Sequence, residues 1–146
     1  MRVLGILTML AAATLALTSA TLGADMTNAA RRQLDTAITH AGLAAGYNSI
    51  PEVELHLHHV VNCIEGKSGK NYFKGSGDVC EGMGRGLLAD LKDAGMAGAH
   101  AAPYAEIGNQ VALWGIAKTM AKDVGRAKAA AQMAKLVLEQ AKANFK

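Results

Sequence analysis

The strongest constraint on the fold is an apolar run in the C-terminal third of the chain that recurs every three or four residues. Its members are Leu113, Ile116, Met120, Val124, Ala127, Ala131, Ala134, Leu138, Ala141 and Phe145. Residues at this spacing share one face of an α-helix. The pattern predicts helix from about Tyr104 to Phe145, either as one long helix or as two helices with a bend or break at Gly125.

Three shorter segments upstream carry the same helical signature. The first spans about 29–46, with Thr27 or Asn28 as its N-cap. The second spans 51–65, with Ser49 as a possible cap, and the third spans about 86–93. Apolar and polar residues alternate over 53–58, which is also typical of a strand, but the adjacent apolar residues at 60, 61 and 64 favour helix.

Between the second and third segments, residues 66–86 are rich in glycine and predict a long loop. Loops of this length in compact domains are usually functional or pinned, and burial of Phe73 is one expected anchor. These segments together predict an all-α fold. We expect an up-and-down bundle of about four helices with a long C-terminal helix.

The N-terminal sequence predicts a signal peptide over residues 1–24. Arg2 precedes an apolar stretch of about 15 residues, which is shorter than the roughly 20 needed to span a bilayer. Small residues permit cleavage after Ala20, Gly23 or Ala24. We therefore predict export to the periplasm or the exterior, with a single helical domain over 25–146 and no membrane segment after cleavage.

Two cysteines, Cys63 and Cys80, are present. Because exported chains meet an oxidising compartment, the even count predicts one disulfide, although two free thiols are the alternative. Such a bridge would pin the 66–86 loop.

Charge and missing motifs exclude several function classes. The net charge of +3 comes from Lys and Arg interspersed with Asp and Glu, which does not indicate nucleic-acid binding. The chain lacks the motifs for covalent haem attachment, dithiol redox chemistry, zinc proteases, di-iron bundles and phosphate loops. No nucleophile or acid/base pair can be singled out, so a non-catalytic role is favoured.

A polar stripe on the second helix is the feature most typical of a binding site. At 100° per residue, His56, His59 and Cys63 lie on one face with Glu52, in the middle of the arc expected to face inward. The opposite side, expected to face solvent, carries Glu54, His58, Asn62 and Glu65. Imidazoles three residues apart can present two nitrogens to one ion. The pattern predicts a transition-metal site with His56 and His59 as ligands and Glu52, Cys63 or His40 as helpers, His40 reaching in only from the flank of its own helix.

Copper is the first choice of ion, followed by zinc, nickel and iron, because nitrogen donors suit all four and the affinity order favours copper. A thiolate role for Cys63 competes with the disulfide, since a bridged sulfur is not a ligand. Two other hypotheses stay open at this point. One is a metal-free interaction bundle that forms a homo-oligomer through its long C-terminal helix, and the other is a bundle that holds non-covalent haem.

Overall fold

The computed structural model describes the backbone of residues 4–118 and 120–146, and the side chains of residues 25–118 and 120–146. Over these residues the protein is all-helical, as predicted. A short 3₁₀ turn, Lys74–Ser76, interrupts the loop after the second helix. The α-helices, in chain order, are α1 (Leu4–Gly46), α2 (Ile50–Glu65), α3 (Leu87–Asp93), α4 (Gly95–Gly115) and α5 (Val124–Asn144).

Helix α1 is longer than predicted. It passes without interruption through Thr27 and Asn28, so the prediction that either residue caps its start is wrong. The predicted signal peptide, residues 1–24, lies outside the residues whose side chains are described, and its cleavage stays a prediction. Across the described part of the chain, none of the helices combines the length and the apolar character needed to cross a membrane.

Helix α2 confirms that residues 51–65 are helical and not a strand. Ser49 occupies the N-cap position and proline stands in the first turn, where its missing N–H costs nothing. The Ser49 hydroxyl bonds no backbone N–H; it donates to Glu52 Oε2 at 2.5 Å. The start of α2 is therefore set by Pro51 and by the carboxylate in the first turn.

The C-terminal seam forms two helices, and the break precedes Gly125. Residues 116–118 and 120–123 lie outside the helices, and Asp123 then caps α5 by accepting a hydrogen bond from the backbone N–H of Arg126 at 3.1 Å. Helix α4 starts at Gly95, nine residues before the predicted position. Because of the break, the buried face of α4 is not the one that the predicted seam continues: Ala112 is buried, whereas Leu113, a member of the seam, is only partly buried. The predicted seam holds from Ala127 onward.

Small residues let the helices approach closely. The core positions of α4 and α5 are mostly alanine and glycine: Ala101, Ala105, Gly108, Ala112, Gly115, Ala127, Ala130, Ala131, Ala134 and Ala141. A Cβ added at Gly108 would lie 2.7 Å from Leu138 Cδ2, so glycine is needed where α5 crosses α4. Helix α5 also packs on α1, and α1 packs on α2, which closes the bundle.

The two ends of the 66–86 loop meet beside α2. Gly86 has a φ of +115°, and a Cβ there would lie 2.7 Å from the backbone N of Gly66. Next to this contact, the fully buried Asp90 carboxylate accepts hydrogen bonds from Gln33 Nε2 and from Arg85 N and Nε. These contacts tie the loop to α1 and α3.

Replacing Gly86 with alanine should therefore destabilise the protein. A side chain at positive φ and an overpacked backbone contact together cost about 2–4 kcal/mol. Gly46→Ala is the matched control, because nothing lies within 4 Å of its added Cβ. We expect Gly46→Ala to change the free energy of unfolding by less than about 1 kcal/mol, in the stabilising direction. Urea denaturation measures both, and equal stabilities would contradict the close approach of the loop ends.

Candidate metal centre

Three histidines from two helices converge on one point. His40 lies on α1, and His56 and His59 lie one turn apart on α2. The Nδ1 atom of His40 is 2.9 Å from Nδ1 of His56 and 3.2 Å from Nδ1 of His59. One ring nitrogen from each of the three residues can be chosen so that all lie within 4.8 Å of one another. The predicted pair, His56 and His59, is thus joined by His40.

The cluster forms at the flanks of both helices. The fully buried arc of α2 is centred on Val53, Val60 and Ile64, and His56 lies roughly 60° from that centre by helical geometry. The prediction that the polar stripe faces inward is therefore wrong for His56 and Glu52, which are half-buried and exposed, whereas Cys63 and His59 are buried. The prediction that His40 reaches in from the flank of α1 is confirmed, and the two flanks meet because α1 packs on α2.

The 66–86 loop fixes the orientation of the His59 ring. His59 Nε2 lies 2.7 Å from the carbonyl oxygen of Ser76, and His59 is 7 % exposed. A carbonyl oxygen only accepts, so Nε2 carries the proton. In the neutral ring the lone pair is then on Nδ1, which faces His40. Metal-binding histidines usually donate their second N–H in this way, because the bond fixes both tautomer and ring orientation.

Asn62 is the residue that holds this loop in place. Its amide nitrogen donates to the carbonyl oxygens of Phe73 at 3.0 Å and Gly77 at 2.8 Å, and its Oδ1 accepts from Phe73 N at 2.9 Å. The Cys63–Cys80 disulfide, predicted from the sequence, anchors the far part of the same loop. Asn62 is 1 % exposed, so its predicted place on the solvent side of α2 is wrong.

Two other predictions for this face also need correction. Phe73 was expected to be buried but is 48 % exposed. Its ring covers His58, with the centroids 4.4 Å apart, and so half-buries a histidine predicted to be solvated. His58 does not belong to the three-histidine group.

Glu52 and Cys63, the predicted helpers, lie outside the group. The Glu52 side chain is exposed and accepts the hydrogen bond from Ser49, although its charge is close enough to His56 to favour the protonated imidazole. Cys63 is bonded to Cys80, so its sulfur is not available as a thiolate and the prediction that it is a metal ligand is wrong. The disulfide instead serves the site indirectly, through the loop that contacts His59.

Burial and mutual repulsion favour the neutral forms of His40 and His56. Desolvation, followed by the charges that His59 and His56 would carry, lowers the pKa of His40 from 6.5 to about 4. Desolvation and His59 also lower the pKa of His56. The Tyr47 ring stacks on His56 with centroids 5.0 Å apart and shields one face of it. At neutral pH His40 and His56 therefore offer lone pairs and not positive charges.

The spacing of the nitrogens fits a transition-metal ion. A tetrahedral ion with metal–nitrogen bonds of about 2.0–2.1 Å holds its nitrogen donors roughly 3.3–3.4 Å apart. The two Nδ1 separations from His40, 2.9 and 3.2 Å, differ from this by a few tenths of an ångström. The third pair, His56 and His59, lies within 4.8 Å, so these two rings must come closer together to place the three donors at the corners of a trigonal face, with a fourth position left for another ligand.

Comparisons with known proteins give no relative: no family model, no curated protein and no solved structure matches the chain. Its function is therefore argued from the geometry of the site.

The lowered histidine pKa values make the stability of the metal-free protein depend on pH. Because the folded pKa of His40 is about 4 and the unfolded value is 6.5, the unfolded chain binds protons first as the pH falls. The contribution of His40 to the free energy of unfolding should be complete above pH 6.5 and should decrease as the pH falls from 6.5 towards 4. Urea midpoints at pH 7.5, 6.5 and 5.5, above the range where carboxyl groups titrate, test this. His40→Gln should flatten the dependence, and an unchanged slope would contradict the assignment.

Removing the Asn62 side chain should release the loop. Asn62→Ala loses hydrogen bonds worth about 1 kcal/mol each, so we expect a loss of about 2–4 kcal/mol in unfolding free energy. Trypsin should then cut faster after the exposed Lys70 and Lys74. Asn144→Ala is the control, since Asn144 bonds only within the last turn of α5. Equal cleavage rates in the two variants would show that Asn62 does not hold the loop.

Proposed function

We propose that the protein is an exported transition-metal-binding protein that holds one ion through His40, His56 and His59 and serves in metal handling. The observation that carries this proposal is the convergence of three Nδ1 atoms, with the His59 ring oriented by the Ser76 carbonyl. The Nδ1 atoms of His40 and His56 are close enough that a proton or a cation must lie between them.

Reversible binding suits the composition of the site. Three neutral imidazoles donate lone pairs but leave the charge of the ion uncompensated, so they hold it less tightly than thiolates or carboxylates would. His40 and His56 are only partly buried, which leaves the ion within reach of an exchanging ligand. Glu52, close to His56, supplies a negative charge that favours a cation without ligating it. Binding followed by transfer needs no nucleophile or general acid.

Copper is the preferred ion, with zinc, nickel and iron as weaker competitors. Imidazole nitrogen is a borderline donor that accepts all four ions, and affinity among the divalent ions peaks at copper. Export to the periplasm or the exterior follows from the N-terminal sequence and is supported by the Cys63–Cys80 disulfide, because such bonds persist in oxidising compartments.

Calorimetric titration of the purified protein with Cu(II), Cu(I) and Zn(II) tests the proposal. We expect one equivalent of Cu(II) to bind and to displace Zn(II). The His56→Ala/His59→Ala double variant should bind at least about 100-fold more weakly, since even the loss of an outer-shell partner costs 10–100-fold. His40→Ala should also weaken binding, because it removes the nitrogen shared by the other two.

His100→Ala is the matched control, because His100 is an exposed histidine on α4 that does not belong to the group. Its affinity should equal that of the unchanged protein. Circular dichroism and urea midpoints establish that each variant is folded. Equal heats for the folded double variant and the unchanged protein would refute the three-histidine site.

A further inference from the structure

The C-terminal end of α2 borders a second candidate site, which shares no residue with the metal centre. It is an open groove of about 820 Å³ between α4 and the first part of the 66–86 loop. Its walls are mainly apolar, with Leu88, Ile107, Val111 and Trp114 among them, and its polar lining includes the half-buried Glu65 and the buried Asn109. Small-molecule sites commonly have this volume and this mixture of an apolar wall with a few placed polar groups.

Asn109 leaves a hydrogen-bond acceptor unused in this groove. The residue is 4 % exposed, and its Oδ1 atom is buried without a partner. The amide cannot be reversed to remedy this, because Nδ2 donates to Glu65 Oε1 at 2.7 Å and a carboxylate needs a donor there. Because the accessible surface of this oxygen is below 1 Å², a ligand in the groove does not reach it, and Asn109 contributes to the site by holding Glu65 Oε1 in place.

Glu65 presents a fixed negative charge beside that acceptor. Its Oε1 accepts from Asn71 Nδ2 and Asn109 Nδ2, and its Oε2 accepts from Asn71 N. These bonds outweigh desolvation and lower the pKa of the carboxyl group. Since a carboxylate oxygen can accept two hydrogen bonds, Oε2 has capacity for one more donor.

The charges in the walls favour a cation over an anion. Glu65 and Glu106 are acidic, and Lys70 is the basic member. Lys70 already acts on Glu65, whose pKa it helps to lower, so part of its charge is compensated within the protein. Trp114 and Ile107 are 50 % and 52 % exposed, which is unusual for large apolar side chains and leaves an aromatic face open to a ligand.

We infer that this groove binds a small organic amine, a primary ammonium group on an aromatic or alkyl body. The ammonium donates to Glu65 Oε2, and the apolar body lies against Ile107 and Trp114. Such an amine is protonated at neutral pH, as a lysine side chain is. The site shares α2 with the metal centre but uses none of its histidines.

Trp114 is the only tryptophan of the chain, so its fluorescence reports directly on the groove. The probe is 2-phenylethylamine, compared with the neutral 2-phenylethanol and the anionic 3-phenylpropionate. The amine should change the emission of the full-length protein saturably and bind about tenfold more tightly than the alcohol, because its hydrogen bonds are charge-assisted. The propionate should bind more weakly than either.

Two pairs of variants locate the binding site. Glu65→Gln keeps an oxygen for Asn71 and Asn109 but removes the charge, and it should weaken amine binding about tenfold while leaving alcohol binding unchanged. Glu139→Gln removes the same charge from a half-buried ion pair on α5 and should have no effect. Ile107→Lys places a cation in the groove and should abolish amine binding. Leu136→Lys, at an equally exposed position on α5, should not.

Several results would overturn the inference. They are an unchanged emission with all three probes, equal affinity for amine and alcohol, tighter binding of the propionate, or undiminished amine binding in folded Glu65→Gln. Concentration-dependent dimerisation that Ile107→Lys abolishes would assign the groove to a second copy of the chain. Amine binding should persist in the His56→Ala/His59→Ala variant, so the outcome is separate from that of the metal experiment.

Discussion

The hydrogen bonds from Asn62 to the 66–86 loop are the interactions on which the candidate site most depends. The Asn62 amide bonds the backbone at Phe73 and Gly77, and these bonds place the Ser76 carbonyl against His59. Without that carbonyl the His59 ring has no fixed tautomer, and its Nδ1 lone pair does not point at His40. The buried Asn62 amide thus supplies the hydrogen bonds that the loop backbone needs, and in this way it fixes the His59 ring one turn away on α2.

Helix α2 presents different chemistry on its different sides. Its apolar arc packs into the core, the flank that faces α1 carries His56 and His59, and its last turn carries Glu65. The side that carries Asn62 is covered by the loop, which the Cys63–Cys80 disulfide and the contact between Gly66 and Gly86 hold closed. The glycine-rich loop is therefore held in a fixed position against α2, because its ends and its middle are each bonded to or packed against the helix.

The sequence predicted the helices well because burial of apolar residues repeats at the helical period. It predicted the disulfide because an exported chain with two cysteines meets an oxidant, and it predicted that His56 and His59 share a side of α2 because helical geometry fixes that relation. It placed the centre of the buried arc wrongly. Apolar residues flank the histidines on both sides in the sequence pattern, which predicts burial of both flanks. In the structure Leu55 is 41 % exposed, and the core lies on the Val60 side.

The roles of Asn62, Glu65 and Asn109 had no signal in the linear sequence. Each is a polar residue that helical geometry places towards solvent or that belongs to no motif. Each becomes buried or partly buried because a segment distant in the sequence covers it. The break between α4 and α5 was expected at Gly125, where backbone freedom is greatest. It forms earlier because Asp123 caps the new helix and moves the apolar seam to a different phase.

The sequence by itself determined the helical class, the disulfide and the pairing of two imidazoles, because each depends on local spacing or on the redox compartment. Tertiary structure alone decided that His40 joins them, that a loop carbonyl orients His59, and that Glu65 and Asn109 meet in a groove. These depend on which flanks of α1, α2 and α4 come together. That choice is made by the packing of small residues over the whole bundle and not by any one segment.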